Sequence, residues 1–196
     1  MNQEFFKAIT KFGDSAVVLP LCALLIGALY FFETRRAAWF LLRSLIACLL
    51  AMTLLKLLFL SCGRVMGLDI TSPSGHAGLS LFGYGALMTI LWSQVRIGAR
   101  ILNLFLTGSF ITLIAISRWV LRVHTPEEVF TGLLIGAIFL HWFARSYVPL
   151  AHPPPRLRSL GLILFPVLLL TYGMALPVEA TLRSLVPLIQ TNSCLV

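Results

Sequence analysis

Two histidines, a few cations and one carboxylate stand at spacings that suit work on a phosphate group. Lys56, Arg64 and Arg118 are cations in a chain otherwise poor in charge. Brought together they repel, so a pocket holding them wants a multiply charged anion. Phosphate fits, because the guanidinium fork bonds its oxygens in pairs. Ser74, Gly75 and His76 follow Pro73 at an expected helix start. Free backbone N–H groups and the helix dipole favour an anion there, and Gly75 lets the backbone come close to it. His76 and His124 in such a pocket point to phosphoryl transfer. One imidazole would attack phosphorus and the other would handle the leaving-group proton. His124 and Glu128 lie four residues apart, hence on one helical face. The carboxylate can then fix the imidazole tautomer and stabilise its positive charge. No Asp/Glu cluster is spaced to hold Mg²⁺, so the chemistry is expected to need no metal and no cofactor.

Each of these residues also has a plainer reading. Thr125-Pro126-Glu127-Glu128 reads as a capping box with proline at the first helical position. Lys56 at a helix end can snorkel to the interface. Ser74 can cap a helix, and Ser117 can bond back to its own helix. Arg122 is a candidate second phosphate contact, while His141 and His152 fall toward the opposite face and read as structural.

The elements that position these residues are membrane spans. Of the 196 residues, 59% are hydrophobic and only 11% charged; soluble domains carry about a quarter charged. That excludes disorder and argues against a water-soluble fold. Apolar runs near the ~20 residues that cross a bilayer recur at Ser15–Phe32, Ala38–Leu60, Gly75–Trp92, Ile101–Ile116, Glu128–Ala144 and Leu160–Leu176. The pattern predicts an all-α integral membrane protein, a single six-helix domain over residues 1–196 with its motif region at about 56–128. The first run lacks a clean cleavage site and reads as an anchor, not a signal peptide.

Alternating helix direction brings Lys56, Arg64, the 73–76 segment, Ser117-Arg118, His124 and Glu128 to one face. The opposite face collects Arg35, Arg36, Arg43, Arg96, Arg100, Arg145, Arg156 and Arg158. The positive-inside rule places that Arg-rich face in the cytoplasm, and both termini and the candidate site outside. The net charge of +8 therefore divides between topology signals and an anion pocket, and nucleic acid is not an expected partner. Cys22 and Cys48 fall inside spans as small hydrophobes. Cys62 and Cys194 fall on the outer side, where a disulfide is conceivable.

The blocks Lys56…Arg64, Pro73-Ser74-Gly75-His76 and Ser117-Arg118-(five residues)-His124-(three residues)-Glu128 resemble the tripartite signature of the type 2 phosphatidic acid phosphatase family. The third block, Ser-Arg-Trp-Val-Leu-Arg-Val-His-Thr-Pro-Glu-Glu-Val, is especially close. The resemblance implies a six-helix membrane enzyme that removes phosphate from a lipid phosphate or diphosphate without a metal. It makes His124 the nucleophile, Glu128 its orienting partner and His76 the acid for the departing lipid oxygen. Lys56, Arg64, Ser74, Gly75 and Arg118 would bind the phosphate.

This chain departs from the family pattern in two places. Seven residues separate Lys56 from Arg64, where the family has six, and Val65 stands for the usual proline. Glu128 replaces the usual aspartate. Undecaprenyl diphosphate in an inner membrane, with the site on the periplasmic or extracellular face, is the leading expectation. Phosphatidylglycerol phosphate, phosphatidic acid and lipid A phosphate stay open as substrates. So do a lipid phosphotransferase and a non-catalytic lipid-binding or transport protein with a relic site.

Overall fold

A helix dominated by leucine, alanine and phenylalanine buries its backbone polar groups within itself, which is what a bilayer demands. The computed structural model describes residues 3–62, 72–92, 97–148 and 160–174, with isolated positions between 176 and 184. Helices make up the fold: α1 (Gln3–Thr10), a 3₁₀ turn (Lys11–Gly13), α2 (Ser15–Phe32), α3 (Arg35–Cys62), α4 (Gly75–Trp92), α5 (Ile97–Val120), α6 (Pro126–Ser146) and α7 (Leu160–Thr171). No strand occurs among the described residues.

Among the described residues, four segments are long and apolar enough to cross a membrane: Gln3–Phe32, Arg35–Leu60, Ile97–Val120 and Pro126–Ser146. The expectation of six spans is met in part. Helices do cover the other two expected runs, but α7 has only 12 residues. The 18 residues of α4 include the small residues Gly78, Ser80, Gly83 and Gly85.

Those small residues explain the position of α4. It is the central helix, packed against α2, α3, α5 and α6, with most of its length buried. Gly78 meets the Gly132 carbonyl, and Gly136 meets the Gly78 carbonyl, so any side chain at these positions would run into backbone. Small residues let membrane helices approach closely and replace hydrophobic drive with dense packing. Around this seam lies a core of Leu21, Leu25, Leu29, Leu41, Phe82, Ile90 and Phe143. Outside it, Leu50, Leu54, Leu58, Ile101, Leu104, Phe105 and Phe130 are exposed. An apolar belt of that extent needs a lipid environment, so the chain is an integral membrane protein.

The close α4–α6 seam fixes the functional end of the bundle. Gly132 abuts the Ser74 backbone, and Ser74 N–H donates to the Glu128 carbonyl at 2.9 Å. Residues 72–74 are thereby clamped to the first turn of α6.

Candidate active site

Glu128 is the hub of that clamped end. Its backbone N–H donates to Thr125 Oγ1 at 3.3 Å, and its Oε2 accepts from the Thr125 N–H at 3.2 Å. This is the expected capping box. The same Oε2 lies 2.8 Å from His124 Nδ1, while Oε1 accepts from the Ser72 N–H at 2.9 Å. Capping and histidine orientation are therefore one arrangement, and the plainer reading does not compete with the functional one. The extra methylene of glutamate lets one carboxylate serve α6, His124 and the segment before α4 together.

His124 sits in a tight turn between α5 and α6. The turn closes because Arg122 adopts φ 55° and the Arg118 carbonyl accepts from Val123 N–H (3.1 Å) and His124 N–H (3.3 Å). With Nδ1 held by Glu128, Nε2 is the nitrogen left for chemistry. Burial pushes the imidazole pKa below its ordinary value. The bond to Glu128 opposes that shift, and the fields of Arg118 and Lys56 reinforce it. A lowered pKa favours the uncharged ring, whose Nε2 lone pair is then free.

The phosphate-binding candidates gather around this pair. Lys56 and Arg118 are buried, and both act electrostatically on His76 and His124. A methyl group added to Gly75 would stand 3.8 Å from Lys56 Nζ, so this ammonium lies over the start of α4. Lys56 is not snorkelling away from the site. The Ser74 hydroxyl is fully buried and has no hydrogen-bond partner. Its free donor beside a helix N-terminus and two cations suits a phosphate oxygen. Ala77, Ala115 and Val129 pack together directly behind these groups and hold α4, α5 and α6 in register.

Other expectations divide. Ser117 Oγ donates to the Ile114 carbonyl at 2.6 Å, so it bonds back to its own helix. Arg122 lines a cavity of about 350 Å³ with Trp119, Val123, His124, Thr125, Pro126 and Glu128. Arg64, His152 and the proline run at 153–155, Cys194 and the Cys62 side chain lie outside the described residues. Cys22 and Cys48 are buried free thiols. Among the described residues no group of His, Cys, Asp and Glu gathers as a metal site.

The fold also adds residues that motif spacing could not bring in. Asp14 Oδ2 lies 3.5 Å from His76 Nε2, and Arg118 Nη1 donates to Thr10 Oγ1 at 3.1 Å. Both partners come from the N-terminal stretch, which the sequence marks only as amphipathic. The available signal was the helix-capping Asp14-Ser15 pair before an apolar run, and it says nothing about a partner on α4.

A histidine–carboxylate pair, buried cations and an unpaired serine converge where separate sequence blocks meet. Residues 63–150 match the PAP2 superfamily. This span holds Ser74, Gly75, His76, Arg118, His124 and Glu128, while Thr10, Asp14 and Lys56 precede it. The PAP2 match bears out the resemblance to the type 2 phosphatidic acid phosphatases and supports a phosphatase acting on phosphate esters. A Klebsiella pneumoniae relative, described as an uncharacterized 22.5 kDa protein in cps region, is 29% identical over 185 residues, covering 90% of this chain and 88% of its own. No solved structure matches the chain.

Proposed function

We propose that this chain is a metal-independent lipid phosphatase that works through a phosphohistidine at His124, with undecaprenyl diphosphate as the first substrate to test. The observation that carries the reading is the buried 2.8 Å contact between His124 Nδ1 and Glu128 Oε2. It leaves Nε2 as the nucleophile beside Lys56, Arg118 and the unpaired Ser74 hydroxyl.

In the first step the Nε2 lone pair forms a P–N bond as the P–O bond to the lipid breaks. The departing oxygen takes a proton from His76. Water then attacks phosphorus, His76 takes a proton back from it, and the P–N bond breaks to release inorganic phosphate. Glu128 stabilises the positive imidazole ring while it is phosphorylated, the role of the orienting acid in a catalytic triad. Lys56, Arg64 and Arg118 neutralise the charge on the phosphoryl oxygens, and Gly75 lets the backbone approach them.

A lipid substrate is supported by the surroundings of the site. An apolar cavity of about 280 Å³ between α5 and α6 shares Trp119 and Pro126 with the cavity at His124 and continues past Ile111, Ala115, Val129 and Leu133. A headgroup at His124 would have space for its chain beside it. The charge pattern favours a site on the periplasmic or extracellular face of an inner membrane.

Phosphate release by the purified full-length chain in EDTA tests the reading, across undecaprenyl diphosphate, phosphatidylglycerol phosphate, phosphatidic acid and lipid A. Release from at least one of them is expected, and His124→Ala should abolish it. Transfer of the phosphoryl group to a second lipid would make the chain a phosphotransferase. Binding without turnover would make it a lipid-binding protein.

A further inference from the structure

We infer that Asp14 is the positioning residue for His76, so that the leaving-group acid, like the nucleophile, works as a histidine–carboxylate pair. The inference rests on the phosphatase reading above and assigns a role to a residue that lies outside the PAP2-matching segment.

Asp14 divides its carboxylate between two tasks. Oδ1 accepts from the Ala16 N–H at 2.9 Å and caps α2. Oδ2 turns to His76 Nε2 at 3.5 Å, with side chains only 15% and 26% exposed. A helix cap alone needs only the first oxygen.

The approach of the two residues is built into the packing. Gly13 wedges the 3₁₀ turn against α4 and α5. A Cβ there would sit 2.6 Å from Ile114 Cγ2 and 3.2 Å from the His76 Cβ. Tyr84, farther along α4, donates its hydroxyl proton to the Phe12 carbonyl at 2.8 Å and pins the same turn. The contact of 3.5 Å is long for a charge-assisted bond, as catalytic contacts often are before substrate binds.

The charges facing His76 define what Asp14 does. Burial, with Arg118 from α5 and Lys56 from α3, opposes protonation of the ring, and Asp14 favours it. His124 and Glu128 form the other pair, at the start of α6. Without Asp14 the acid would face cations alone and lose its proton too readily. With Asp14 holding Nε2–H, the proton on Nδ1 is the one to give. As the P–O bond breaks, the Nδ1–H bond breaks and an O–H bond forms on the lipid. The neutral ring keeps its Nε2–H on the carboxylate.

The test compares leaving groups on the full-length protein. One substrate is an alkyl phosphate, and the other is a nitrophenyl phosphate bearing the same alkyl chain, whose phenolate leaves without a proton. Asparagine caps helices as well as aspartate, so Asp14→Asn keeps α2 and removes the charge. It is expected to lower kcat about 30-fold on the alkyl phosphate and less than about threefold on the nitrophenyl phosphate, with KM little changed. The alkaline limb of the pH profile should move to lower pH. Asp14→Ser, another capping residue, should do the same and serves if the asparagine variant does not accumulate.

Combined with His76→Ala, Asp14→Asn should add no further loss. Equal losses on both substrates, an unmoved alkaline limb, or additive effects in the double variant would each overturn the inference while leaving the phosphatase reading intact. A wild-type protein silent on every substrate would overturn both.

Discussion

The two histidine–carboxylate pairs have similar chemistry but different origins. His124 and Glu128 lie four residues apart across the start of α6, touch at 2.8 Å and are almost wholly buried at 4% and 3% side-chain exposure. His76 on α4 and Asp14 in the turn before α2 stand 3.5 Å apart and are more open. The first pair is fixed by a local turn and capping box, so it forms wherever that segment folds. The second exists only because α4 packs against the turn before α2. A nucleophile must be held rigidly in one tautomer, and the local pair does that. An acid must reach a leaving group that arrives and departs, and the looser pair between elements leaves it room.

Breaking the local pair should cost most. His124→Ala removes the proposed nucleophile and is expected to lower kcat by at least about a thousandfold, measured as phosphate release from the best substrate. Glu128→Gln comes next, with a loss of about a hundredfold or more. Oε2 faces both His124 Nδ1 and the Thr125 N–H, and Oε1 faces the Ser72 N–H. An amide must therefore point its NH₂ at another donor. Near-wild-type activity in Glu128→Gln would reduce the carboxylate to a cap.

The pairs should also separate by pH. In the proposed mechanism His124 attacks as a neutral ring, and burial holds its pKa below the ordinary value. The acid limb of kcat/KM should consequently fall below the free imidazole value of about 6.5. Glu128 pulls the other way, favouring the protonated ring. Its loss in Glu128→Gln should move the acid limb lower still in whatever activity remains. Asp14→Asn, in contrast, should move only the alkaline limb. If both variants shifted the same limb, the division of labour between the pairs would be wrong.

A milder change reaches the second pair alone. Gly13→Ala places a methyl against Ile114 and the His76 Cβ, forcing the turn outward and lengthening the Asp14 contact. The expected result is a loss of about three- to tenfold in kcat on an alkyl phosphate, with little change on the nitrophenyl substrate. An equal loss on both would mean that the turn supports the whole site.

This difference in origin also explains what the sequence could reveal. The spacing of four between His124 and Glu128 and the Thr125-Pro126 start are local, so periodicity and capping rules expose them. Lys56, Ser74, His76 and Arg118 were reachable because alternating spans bring their blocks to one face. Asp14 and Thr10 were not, because their contacts with His76 on α4 and Arg118 on α5 depend on how the first turns pack, at Gly13 and through the Tyr84–Phe12 bond. The count of spans is met in part, and α4 shows why. Gly78, Gly83 and Gly85 let α4 occupy the bundle centre, where most of its length is buried against other helices. Glu128 was ambiguous on sequence between cap and partner, and the geometry shows it in both positions.

The smallest expected effect concerns the turn that presents the local pair. Arg122 holds φ 55° without being glycine, a conformation that costs an L-residue about 1–2 kcal/mol. Arg122→Gly removes that cost and gives back part of the gain through the freer unfolded chain, so a net stabilisation of about 0.5–1 kcal/mol is expected. Thermal unfolding in detergent would read it. The same variant deletes a guanidinium that lines the cavity at His124. If that group only attracts the headgroup, KM should rise about threefold or less while kcat holds, since uniform binding does not change the chemical step. A fall in kcat would show that the strained turn itself aims His124, and the local pair would then depend on its backbone as well as on Glu128.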